Sequence, residues 1–114
     1  MITIEKLQSF GADTVDGLER GFGNEALYLR LVATIPEDAS FDRLNQKLQA
    51  KDLDGAFEAA HALKGVLGNL SLTPLYDLAV DITEHLRSRD NIDYSKMMTD
   101  FFSKKEELGK LCAE

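Results

Sequence analysis

The chain has 114 residues, 13 basic against 20 acidic side chains for a net charge of −7, and 44% hydrophobic content. That length suits one domain, 1–114, with a core of its own; the single Cys112 excludes an internal disulfide framework, and the apolar content excludes a disordered acidic chain. The negative charge argues against nucleic acid as a partner, and the absence of both a run of about 18 apolar residues and a signal-like start argues for a cytoplasmic protein with no membrane association.

Glycines (8) and prolines (2) are few, and no Asn-Gly or Asp-Gly separates alternating runs, so the chain is expected to be all-α. Ile2 and Ile4 alternate as in a strand, but a lone strand has no partner, which makes 2–10 a short helix or arm. Asp13 with Asp16 marks a helix start, and the break at Gly21-Phe22-Gly23-Asn24 opens a helix over 24–36 carrying Leu27, Leu31 and Ile35. Phe41, Leu44 and Leu48 predict a helix over 41–51. After Asp52, the residues Leu53, Ala56, Ala60, Leu63, Leu67 and Leu70 recur at alternating spacings of three and four, the seam of a helix over 53–70. Thr73 is expected to cap a helix over 74–89 that has Pro74 in its first turn and Leu75, Leu78, Ile82 and Leu86 along one side. Tyr94, Met98, Phe101, Leu108 and Cys112 predict the last helix, over 92–112. Short loops between such helices imply an up-and-down four-helix bundle with short additional N-terminal helices.

At about 100° per residue, His61 points roughly 130° away from the seam of its own helix. Phe57, Glu58, Lys64, Gly65 and Gly68 are its neighbours at i−4, i−3, i+3, i+4 and i+7. A glycine inside an exposed helix costs about 1 kcal/mol relative to alanine, so two on one flank require a reason. One reason is a close crossing by a neighbouring helix, with His61 an ordinary solvated histidine. The other is clear access to a nucleophilic imidazole, with Lys64 supplying positive charge for an arriving anion such as a phosphoryl group. Glu58 is placed to accept the proton of the other ring nitrogen or else to be a solvated charge. A metal site lacks ligands, because His85 lies on another helix and Cys112 is remote, and neither a Gly-x-Ser-x-Gly elbow nor a phosphate-binding loop is present. His85 is expected to be a flank histidine and Cys112 a small hydrophobe.

Ala60-His61-Ala62-Leu63-Lys64-Gly65, followed by Asn69-Leu70, resembles the signature of histidine phosphotransfer (HPt) domains. A chance His-x-Leu-Lys-Gly in a chain of this length is on the order of one in a thousand. Gly23 to Tyr28, the Phe41/Leu44/Leu48 helix and the last two helices follow the family's layout, so the resemblance spans nearly the whole chain. It implies a helical bundle whose exposed histidine takes a phosphoryl group from the phospho-aspartate of a response-regulator receiver and passes it to another receiver. His61 would be the phosphoacceptor, Lys64 the cation beside the phosphoryl oxygens, and Gly65 the residue that keeps access open. Phe57, Leu67 and Gly68 stand where the family has helix or docking contacts. The chain departs from the family at Ser71, where many members have glycine, and at Val66 and Leu67, where many have small polar residues. The Mg²⁺ and the aspartate would belong to the receiver, leaving this chain a monomeric phosphocarrier without cofactor, metal or turnover of its own. Its expected partners are receiver domains and a sensor histidine kinase. Two alternatives stay open: a helical binding module whose histidine goes unused, and an acceptor domain phosphorylated directly by a separate histidine kinase.

Overall fold

The computed structural model describes residues 1–21 and 23–114; Phe22, part of the expected break, lies outside the described residues. Among the described residues seven helices follow one another: α1 (Ile4–Phe10), α2 (Thr14–Arg20), α3 (Glu25–Thr34), α4 (Ser40–Gln49), α5 (Leu53–Asn69), α6 (Thr73–Arg87) and α7 (Ser95–Ala113), with a 3₁₀ turn at Ile35–Glu37. There is no strand among the described residues: Ile2 lies just before α1 and Ile4 is its first residue. No described helix is long and apolar enough to cross a membrane.

Short polar side chains set the starts of α1, α2, α3 and α5 by accepting bonds from backbone N–H groups that have no partner within the helix. Asp13 accepts from Asp16, Asn24 from Leu27 and Asp52 from Gly55, at 3.1, 2.9 and 2.9 Å. The expected cap at Thr73 does not form. Thr73 is already helical, Leu72 precedes it without a side-chain cap, and the Thr73 hydroxyl donates to the Ser71 carbonyl at 3.4 Å. Pro74, in the first turn with its dihedral preset, starts this helix instead.

Helices α4 to α7 form the bundle, with α5 packed between α4 and α6 and α7 closing against α6. The α5 seam is buried at Ala56, Ala60, Leu63, Leu67 and Leu70, joined by Ala59. It meets Phe41 and Leu44 of α4, Leu75, Ala79, Ile82 and Leu86 of α6, and Met98, Phe101 and Leu108 of α7 in one core. The Phe41 and Phe101 rings, 5.0 Å apart, fill its middle.

The helix expected over 24–36 as a bundle member is corrected in two respects. It ends at Thr34, and Pro36, which bars continuation of regular hydrogen bonding, lies in the 3₁₀ turn that rests on α7. Its buried stripe is Tyr28, Val32 and Ile35, whereas Leu27 and Leu31 are 38% and 42% exposed. The register is set by Tyr28, whose ring enters the core while its hydroxyl donates to the Leu70 carbonyl at 2.8 Å. Helices α1 to α3 therefore gather around the α5–α6 turn, where the Asp13 N–H also donates to the Ser71 carbonyl at 3.0 Å.

Candidate functional site

Because α5 buries one side against α4 and α6, its opposite flank faces outward, and the exposed His61 lies near the middle of this 17-residue helix. Burial of the seam orients the whole helix, so the imidazole is held at a fixed place on a rigid face. The two glycines beside it have different reasons. A Cβ built at Gly65 meets nothing within 4 Å, whereas one built at Gly68 lies 3.0 Å from Cε1 of Tyr76 on α6. Gly68 thus accommodates a packed neighbour, and Gly65 leaves an opening on the C-terminal side of His61.

That opening continues into a shallow cleft walled by Lys64, Gly65 and Gly68 of α5, Tyr76 of α6, and Asp16 and Arg20 of α2. Lys64 is half-buried and makes no ion pair among the described residues. Asp16 is engaged: it accepts from the Ser71 hydroxyl and from Arg20 Nε, and these bonds hold its carboxyl below the usual aspartate range. The cleft therefore sets the Lys64 ammonium among carboxylates: Asp16, already matched by its own partners, and Asp13 and Asp77, which also line the wall.

On the other side, Phe57 stacks on His61, with ring centroids 5.7 Å apart and planes 12° from parallel. The guanidinium carbons of Arg87 and Arg89 lie 5.3 and 4.9 Å from the Phe57 centroid. Arg89 Nε also donates to Asp54 at 2.7 Å. Glu58 is exposed, and no hydrogen bond joins it to His61 among the described residues. His85 is taken up by carboxylates, with Nδ1 2.8 Å from Asp90 and Nε2 3.7 Å from Asp81. Cys112 is half-buried, and burial pushes its thiol pKa up. No group of three or more His, Cys, Asp and Glu side chains is arranged to hold a metal among the described residues.

His61, Lys64, Gly65, Phe57 and Gly68 all sit on α5, where the periodicity places them. The periodicity missed Arg87 and Arg89, at and just beyond the far end of α6, which approach Phe57, and Tyr76, which occupies the space at Gly68. Only the short α5–α6 turn pointed to Tyr76, since an antiparallel pair must bring the start of α6 against the end of α5. Chemically, the site presents a nucleophile on an open helix face, one cation beside it and an aromatic ring beneath it.

The Hpt domain family model matches residues 27–113, a stretch that runs from α3 to α7 and contains His61 and its α5 and α6 neighbours, while Asp16 and Arg20 of the cleft lie before it. No curated protein and no solved structure matches the chain.

Proposed function

The chain belongs to the Hpt domain family, whose members are phosphocarrier modules that interact with receiver domains in phosphorelays, and from that premise we propose that His61 is its phosphoacceptor. The observation that carries this reading is Gly65: a helix glycine with empty space where its side chain would be, one turn from an exposed histidine. Packing gives no reason for that glycine, and access does.

Phosphoryl transfer asks little covalent work of the protein and depends on position and charge. A lone pair on an imidazole nitrogen forms the N–P bond as the P–O bond to the receiver's aspartate breaks. The aspartate leaves as a carboxylate, and the proton on the other ring nitrogen balances part of the new charge. Lys64, one turn along α5, faces the phosphoryl oxygens. The onward step is the same exchange in reverse, to a second receiver. We read the chain as a cytoplasmic, monomeric carrier, with the Mg²⁺ of the reaction held by the receiver.

The test is incubation with a ³²P-phosphorylated receiver. Label is expected on His61, acid-labile and alkali-stable, absent from His61→Gln and acquired more slowly by Lys64→Ala at unchanged helicity. Label retained by His61→Gln overturns the assignment. Label that arrives from ATP with a histidine kinase but never from a phospho-receiver establishes direct phosphorylation instead.

A further inference from the structure

We propose that Arg89 is a positioning residue for the phosphoacceptor and acts through Phe57; this rests on the reading of His61 as phosphoacceptor and deepens it. Arg89 follows the end of α6 in the left-handed conformation, at φ 53°. Its guanidinium turns back over α5 and is held at three points. Nη1 donates to the Leu86 carbonyl at 2.6 Å, Nε donates to Asp54 at 2.7 Å, and the guanidinium carbon stands 4.9 Å from the Phe57 centroid. Asp54, Phe57 and His61 are at i, i+3 and i+7 on one flank of α5, so the end of α6 grips two members of the row that carries the histidine.

His61 is exposed and makes no hydrogen bond among the described residues, so hydrogen bonding does not choose its rotamer. The contact on its ring is the near-parallel stack on Phe57. In-line transfer requires the attacking nitrogen at one place and angle, and a ring that samples several rotamers spends less time there. Phe57 is itself only half-buried, so the core does not fully immobilise it. A guanidinium over its π face does so, because the ring quadrupole attracts the cation and the planar fork keeps Nε and Nη1 bonded meanwhile. The alternative is that Arg89 and Asp54 merely tie the end of α6 to the start of α5.

The two are separated by measurements on the full chain. Phe57→Leu keeps the ion pair and an apolar side chain but removes the ring contacts; Arg89→Gln removes the Arg89 guanidinium and its bonds to Leu86 and Asp54, leaving Phe57 in place with Arg87 still 5.3 Å from its centroid. In both, the maximal rate of phosphorylation at saturating phospho-receiver is expected to fall about two- to fivefold, the scale of one exposed cation–π contact, with the concentration for half-maximal rate unchanged. By NMR, the His61 ring protons of Phe57→Leu should move downfield as the stack is lost. Arg89→Gln should move them part of the way, and Phe57→Tyr, which keeps the ring, should leave them near their wild-type positions. A tie between helices would alter thermal stability without moving these resonances. The proposal is overturned if Arg89→Gln leaves the His61 resonances at wild-type positions, whatever it does to the rate. If the wild-type chain takes no label from any receiver, the phosphoacceptor reading fails, and unmoved resonances in Arg89→Gln would separately overturn the clamp.

Discussion

Gly65 and Gly68 are one turn apart on α5, yet their substitutions should diverge. Nothing occupies the space beside Gly65, so Gly65→Ala gains helix propensity without a clash and should stabilise the fold by about 1 kcal/mol in urea unfolding. Gly68→Ala should gain less, because the new methyl meets the Tyr76 ring at 3.0 Å. A destabilised Gly65→Ala would refute the open-space description. Function should run the other way: Gly65→Gln fills the opening beside His61 and is expected to slow labelling by a phospho-receiver severalfold while the bundle stays folded. Unchanged kinetics would remove Gly65 from the access route. A glycine that lowers stability where no neighbour requires it fits a residue retained for approach.

Helices α4, α5 and α6 end in the same way. Lys51, Ser71 and Arg89 each adopt left-handed φ, at 56°, 53° and 53°. The following N–H returns to a carbonyl near the helix end in each case: Asp52 to Lys47, Leu72 to Leu67 and Asp90 to His85, at 2.9, 3.1 and 3.0 Å. Side chains with a Cβ are strained there, so Lys51→Gly is expected to raise stability by about 1 kcal/mol, read as a higher urea midpoint at unchanged slope. A lower midpoint would show that the Lys51 side chain contributes more than its backbone costs. At Ser71 the same gain is offset, since its hydroxyl bonds Asp16 and ties α2 to the α5–α6 turn. This accounts for the departure from the family's glycine noted in the sequence: the backbone conformation suits glycine, and the chain exchanges that ease for a cross-link.

The N-terminal helices are tied to the bundle through Tyr28. Its ring is buried against the core, its hydroxyl bonds Leu70, and Gly17 of α2 lies so close that an added Cβ would stand 2.5 Å from that oxygen. Burial, reinforced by the charges of Asp13 and Asp16, pushes the Tyr28 pKa up from 10.0 to about 12. The unfolded chain therefore ionises first on the alkaline side. Tyr28's contribution is whole below pH 10.0 and is lost as pH rises through about 12. Tyr28→Phe should cost about 1 kcal/mol at neutral pH by leaving the Leu70 carbonyl without its partner, and should flatten the alkaline fall in stability measured by urea titration. An identical alkaline profile in Tyr28→Phe would show that another group carries it, with Tyr94, also pushed up by burial, the next to test.

What the sequence determined by itself was local and periodic: the helices, most of their polar starts, the α5 seam and the row of residues beside His61. Helical spacing is a property of one segment, so it can be read without knowing the neighbours. Which face of α3 is buried, which of the two glycines is open, and where Arg89 reaches were decided by the tertiary structure. Each depends on an atom from another helix: the Leu70 carbonyl above Tyr28, the Tyr76 ring at Gly68, and Phe57 and Asp54 beneath the guanidinium. These approaches are fixed when the bundle closes, because only then do segments far apart in the chain share one surface.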